Sequence, residues 1–367
     1  MLRVIVNPGE RMDTRAVVAS RNQGCHAAEV GYNPTARVPG VKEAAALRAG
    51  PEAMPMRYRM LGGTGFRVSV VGFGTWAIGG ADWGRVDDRD SVKAIHRAVD
   101  LGVNLFDTAP LYGNGHAESV LGQALEGLRN DVFVATKCGP IEVRPGLLHV
   151  DLSRDGLVRQ CDDSLRRLRT DRIDLLQIHW FDPAWPVEDT MGHLADLVQA
   201  GKVRAVGVSN YGAAELARAV DTGVAATLQP PYNLFAREIE ADVLPLCVAR
   251  NLGVLAYEPL ARGLLAAKFD ERSRFEPSDI RASDPRFRMP ALARHVAAAR
   301  RVERVARSQD MTAAQAAVAW ALSPPGVTTA LCGAKTAAQA AENARAADFE
   351  PDATTLARLE EAARLAD

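Results

Sequence analysis

The sequence predicts an α/β protein: a (β/α)8 TIM barrel with an N-terminal β-hairpin and extra C-terminal helices. Three observations predict it. Short apolar runs alternate eight times with segments of helical spacing over about 310 residues. Several of the runs end in a polar side chain, and a closed parallel barrel gathers such strand tips at one mouth, where its site belongs. Hydrophobic content of 47% and charged content of 24% fit an ordinary globular chain long enough to bury a full core.

The elements follow in order. Tyr58 to Leu61, Gly62 to Gly65 and Phe66 to Val68 read as a hairpin around a glycine-rich turn. The predicted strand cores are Val70–Gly72, Val103–Asp107, Val132–Lys137, Ile173–His179, Val203–Ser209, Thr227–Gln229, Val254–Tyr257 and Thr328–Cys332. Between them Val92, Ile95 and Val99 keep helical spacing. So do Val158, Cys161, Leu165 and Leu168 behind Ser153 as N-cap, then Met191, Leu194 and Val198, and Ile239, Val243 and Leu246. A helix is expected from His295 to Gln309, another from Thr312 to Leu322 stopped by Pro324-Pro325, and a last one from Ala353 to Leu365.

Met1 to Pro55 has no sustained period and five prolines, so residues 1–55 are expected to be a disordered extension. Only Val41 to Ala49 has a helical look. Met54, Met56 and Met60 are alternative starts, and the barrel domain is expected over 56–367. The segment lacks the apolar core of a secretory signal. Its acidic residues argue against a transit peptide.

A net charge of -1 argues against a nucleic-acid partner, and no apolar run approaches a membrane span. The five cysteines are scattered without metal or redox spacing, which suggests free thiols in a cytoplasmic protein and no metal site. Cys138 stands beside Lys137, where a thiol is usually packing.

Four strand-end residues carry the chemistry: Asp107, Tyr112 just beyond it, Lys137 and His179. Each alone has a bland reading as a loop salt bridge or a packing ring. Together, at three successive strand tips, they suggest a proton relay to a carbonyl oxygen. Lys137 is expected to lower the pKa of the Tyr112 phenol, making it a general acid; Asp107 would orient Lys137, and His179 would bond the substrate oxygen. No side chain delivers a hydride, so a reductase needs a cofactor. Ser209, Asn210 and Gln229 offer groups for a carboxamide, and Tyr257 offers a flat face for stacking. Gly333-Ala334-Lys335 follows the eighth strand, where barrels often bind phosphate, although a solvated lysine is nearly as good a reading. The run Gly72 to Ala77 nominally matches a dinucleotide glycine fingerprint, but Trp76 sits where the turn should enter a helix.

These segments resemble the aldo-keto reductase family. The resemblance rests on Phe106-Asp107-Thr108-Ala109 with Tyr112-Gly113, Ala135-Thr136-Lys137, Gln177-Ile178-His179-Trp180, Gly201-Lys202-Val203-Arg204 with Gly207-Val208-Ser209-Asn210, and Glu342-Asn343. It covers Tyr58 to about Asp367. Within the family, Gln229 to Phe235 and Arg262 to Leu265 look most like the bacterial general stress protein 69 group. The resemblance implies an NADPH-dependent reductase of aldehydes or ketones, with Asp107, Tyr112, Lys137 and His179 as catalytic tetrad. It implies that Ser209, Asn210 and Gln229 hold the carboxamide and Tyr257 stacks on the nicotinamide. Gly74, Thr75 and Trp76 would line the mouth. Leu260, Arg262, Gly263 and Leu264 would pass the pyrophosphate. Gly333, Lys335, Gln339, Glu342 and Asn343 would hold the adenosine end. Many members have arginine where this chain has Gln339, so NADH use stays open. Glu258, after the stacking tyrosine, is a second departure, and Ala266-Ala267-Lys268 a third.

Two other functions stay in view. A Schiff-base aldolase or isomerase would use Lys137 as nucleophile, against which Asp107 counts because it keeps the amine protonated. A cofactor sensor like the potassium-channel β subunits would use the N-terminal extension as effector. Trp76, Trp83, Tyr112, Trp180, Phe181 and Trp185 suggest an aromatic mouth.

Overall fold

The computed structural model of the chain describes residues 3–4, 56–144 and 146–365. The expectations for Met1 to Pro55 lie outside the described residues, apart from Arg3–Val4, which pair in parallel with Leu147 and Leu148. Eight parallel strands close a barrel in chain order: β1 Val71–Gly74, β2 Leu105–Asp107, β3 Phe133–Cys138, β4 Ile173–Ile178, β5 Val203–Ser209, β6 Ala225–Gln229, β7 Gly253–Tyr257 and β8 Val327–Gly333. The first strand runs later than expected, to Gly74 instead of Gly72, because pairing with β8 continues through Gly333.

Alternation along the strands builds two layers. Leu105, Phe133, Ala135, Leu175, Ala205, Leu255 and Leu331 form an inner cluster, while Phe106, Val134, Leu176, Val206 and Val254 join the outer cluster beneath the helices. The inner set continues two residues at a time to Asp107, Lys137, Gln177 and Tyr257. The strand period therefore turns those polar side chains into the barrel. The hairpin Tyr58–Met60 with Arg67–Ser69 closes the opposite end, where Leu61 and Val68 complete the inner cluster. Its turn needs glycine at Gly62: φ is +53°, and a Cβ there would stand 2.3 Å from the Gly253 nitrogen.

The helices pack outside. Ser153 caps Arg154–Leu168 by accepting from the Gly156 N–H, and Thr312 with Gln315 forms a capping box on Ala313–Ala321. Three expectations change. The helix expected from His295 begins at Ala291 and ends at Arg307. The segment around Ile239 divides into a 3-10 turn, Glu238–Glu240, and a helix, Val243–Ala249. A second hairpin, Pro140–Arg144 with Leu147–Val150, follows β3 unforeseen. No helix among the described residues is long and apolar enough to cross a membrane. Cys138, Cys161, Cys247 and Cys332 are free and buried.

Candidate active site

At the C-terminal rim the four expected residues meet. The Lys137 ammonium donates to Asp107 Oδ1 at 2.6 Å, to the Thr108 carbonyl at 2.9 Å and to the Tyr112 hydroxyl at 3.2 Å. Those three bonds use all three of its N–H donors. Lys137 is 1% exposed and Asp107 3% exposed, so the pair is held out of water. A buried ion pair is tolerable only when its remaining groups are bonded too. Here Asp107 Oδ2 accepts from the Gln229 amide at 2.8 Å and from the Gln177 amide at 3.4 Å. His179 stands edge-on to Tyr112, with ring centroids 6.0 Å apart, and stacks on Trp180 at 4.4 Å.

The electrostatics correct one expectation. The Tyr112 phenol lies well above its ordinary value instead of below it, first because burial penalises the phenolate and then because of Asp107, Glu258 and Asp82. The Lys137 ammonium is drawn down by burial, with Asp107 pulling the other way. Burial and the Lys137 charge hold His179 well below the ordinary imidazole value, so its ring is neutral near pH 7.

A cavity of about 1150 Å³ opens over these residues. Asp107, Tyr112, His179, Gly74, Trp76, Ser209, Asn210, Gln229, Tyr257, Leu260, Arg262, Gly263, Gly333, Lys335, Gln339, Glu342 and Asn343 all line it. Thr75 and Leu264 do not. They are buried behind the wall at 0% and 1% exposure, as Lys137 is buried beneath Tyr112. Among the aromatic residues, Trp76, Trp83, Tyr112 and Trp180 line the cavity, whereas Phe181 packs on Tyr211.

Asn210 adopts φ +59°, a left-handed conformation that asparagine tolerates. Its amide donates to the His179 carbonyl at 2.9 Å, and its Oδ1 accepts from the Tyr257 hydroxyl at 2.8 Å. Gln339 is exposed and turns back to accept from the Lys335 backbone N–H at 2.8 Å. Lys335 is half-buried, its ammonium donating to the Trp83 carbonyl; burial, then Arg281, draws its pKa down. Lys335 is thus not a free surface lysine. Glu258, at φ +53°, pairs with Arg262 at 2.8 Å and Arg286 at 3.3 Å.

Several lining residues were not expected. Arg281 packs against Trp83, Phe269 and Phe275, and Asp279 accepts from its backbone N–H and from two of its guanidinium nitrogens. Glu142 and Leu148 come from the second hairpin. Gln177, buried below the cavity and not on its wall, carried a signal in the sequence, an amide in the inward phase of an apolar strand. Arg281 carried none.

A parallel barrel whose mouth sets a buried carboxylate–ammonium–phenol chain at the wall of a large cavity can pass a proton to a bound ligand. The chain belongs to the aldo/keto reductase family, whose model matches residues 70–364. It is 39% identical over 283 residues to aldo-keto reductase YhdN of Bacillus subtilis (strain 168), covering 76% of this chain and 85% of that protein. It is 32% identical over 320 residues to the NADH-specific methylglyoxal reductase of Escherichia coli (strain K12), covering 82% and 98%. The fold matches the glycerol dehydrogenase AKR11B4 of Gluconobacter oxydans with a TM-score of 0.76 and 36% identity, over 84% of this chain and 97% of that one. The chain is an NAD(P)H-dependent oxidoreductase of that family, and generic carbonyl reduction is its chemistry.

Proposed function

We propose that this enzyme reduces aldehydes or ketones to alcohols, reversibly, with NADPH preferred over NADH and Tyr112 as proton donor. One observation carries the reading: the Lys137 ammonium, fixed by Asp107 and Thr108, donates its third bond to the Tyr112 hydroxyl. As the phenol gives its proton to the carbonyl oxygen, the negative charge left on it faces that ammonium, which stabilises it. The raised pKa keeps Tyr112 protonated throughout the neutral range, the form that reduction needs. Neutral His179 donates a hydrogen bond to the same oxygen and places it. The Schiff-base reading is disfavoured by an amine that is buried and has every N–H engaged.

The cavity fits a dinucleotide. Ser209, Asn210 and Gln229 would hold the carboxamide, Tyr257 would stack on the nicotinamide, and Lys335 with Arg281 would meet the 2′-phosphate. The indole N–H of Trp83 is buried beside them with no partner among the described residues, a donor left for a ligand. When bound, NADPH supplies the hydride that no side chain can. The buried free thiols support a cytoplasmic setting, and the match to Gln229–Phe235 supports a place near the general stress protein 69 group.

Tyr112→Phe tests the proton donor. It should lower kcat by about 10²–10⁴-fold and leave the NADPH Kd, read by fluorescence titration, nearly unchanged. Near-native turnover by this variant would remove Tyr112 from the role.

A further inference from the structure

The strand Ile173–Ile178 places an amide, Gln177, in the barrel interior at 0% exposure. A leucine or methionine would fill that space at no polar cost, and a buried amide is unfavourable unless bonded. Gln177 is bonded on both sides. Its Nε2 donates to Asp107 Oδ2 at 3.4 Å, and its Oε1 accepts from Gln229 Nε2 at 3.4 Å. Gln229 Nε2 in turn donates to the same Asp107 oxygen at 2.8 Å. The two amides and the carboxylate form a closed triangle, while the other carboxylate oxygen faces Lys137.

The backbone makes room for this triangle. In register, Gln177 lies between Lys137 of β3 and Gly207 of β5. A Cβ on Gly207 would stand 3.2 Å from the Gln177 Cγ and 2.0 Å from the Thr227 hydroxyl. The strand between Gln177 and Gln229 thus carries no side chain at its inward position, and the Thr227 hydroxyl and the Gln177 side chain take up that space.

We infer that Gln177 is a positioning residue, which acts with Gln229 on one oxygen of Asp107 and so fixes the carboxylate that holds Lys137 against Tyr112. It touches neither Lys137 nor Tyr112 through a hydrogen bond of its own; its action runs through Asp107.

The inference rests on the proposed relay, and the test separates the two. Gln177→Met and Gln177→Glu are compared with the native full-length chain, using NADPH and the best aldehyde of a panel. Gln177→Met should lower kcat about tenfold, with KM, NADPH Kd and melting temperature close to native. Gln177→Glu should behave differently with pH. Its protonated carboxyl donates and accepts as the amide does; its ionised form sets a second negative charge beside Asp107. The titratable groups around it are Asp107, Lys137, Tyr112 and His179, shared with the native enzyme. The ratio of Gln177→Glu to native kcat should therefore fall as pH rises, while the Gln177→Met ratio stays flat. Native kcat in Gln177→Met, equal losses of kcat and cofactor affinity, or a flat Gln177→Glu ratio would each overturn the inference. Should Gln177→Met be unstable, the Gln177→Glu profile decides. Failure of the relay itself would show as turnover by Tyr112→Phe, however the Gln177 variants behave.

Discussion

On the relay side of the cavity, Asp107, Lys137, Gln177 and Gln229 leave the tips of four barrel strands, and each is nearly or fully buried. On the Lys335 side the polar groups come from loops. Lys335 follows β8, Trp83 lies in the segment after β1, and Arg281 sits in a short helix, Ile280–Ser283, beyond β7. The first set is held by strand register, the second by loop contacts: Lys335 to the Trp83 carbonyl, Arg281 to Asp279 and three aromatic rings, Lys268 to Glu342 at 3.1 Å. Geometry fixed by a barrel suits proton transfer, which depends on tenths of an ångström. Geometry fixed by loops suits charge recognition, which tolerates more motion.

Lys137→Met should break the relay side most severely. It leaves the Asp107 carboxylate buried with only two amides, so stability should fall by about 3–5 kcal/mol, read by urea unfolding, and kcat should collapse. Native-like stability would show that Asp107 is better solvated than its burial implies.

A pH series gives the next largest effect. The folded His179 pKa lies below its unfolded value, so the unfolded chain binds more protons in the window under the ordinary imidazole value near 6.5. Stability should therefore fall as pH drops through that window, by up to about 1.4 kcal/mol per pH unit for this one group. His295, also depressed first by burial, adds to the slope. In His179→Asn the slope should lessen, and an unchanged slope would assign the acid sensitivity elsewhere.

The loop side should respond more weakly. Lys335→Ala and Arg281→Ala should each raise the NADPH Kd several-fold, about 1 kcal/mol for a partly exposed ion pair. NADH binding should hold, and added salt should narrow the difference. Equal weakening of both cofactors would make these residues loop supports.

The contrast also explains what was legible in the sequence. The meeting of Asp107, Lys137 and His179 at one rim was legible because strand period and strand ends are local properties: Leu105 and Asp107, Phe133 and Lys137, Leu175 and His179 share one phase. Gln177 shares it too, and only its apolar surroundings drew attention away. Gly74 was placed past its strand because glycines carry no alternation signal. The hairpin Pro140–Val150 has no clean alternating pattern. Arg281 reaches Lys335 only through the packing of Phe269, Phe275 and Phe287, a loop arrangement that no sequence period announces. The Tyr112 shift is not legible in the sequence, because the spacing shows a nearby ammonium but not the burial that outweighs it.

The most direct measurement of the central claim is deuterium transfer. Native chain and Tyr112→Phe are incubated with NADPH deuterated at the transferable position of the nicotinamide and with a panel of aldehydes, and the alcohols are analysed by mass spectrometry. The account predicts alcohol carrying deuterium on the carbinol carbon from the native chain, and almost none from Tyr112→Phe at cofactor concentrations that saturate both proteins. Deuterated alcohol at native levels from Tyr112→Phe, or none from the native chain with any aldehyde, would contradict it.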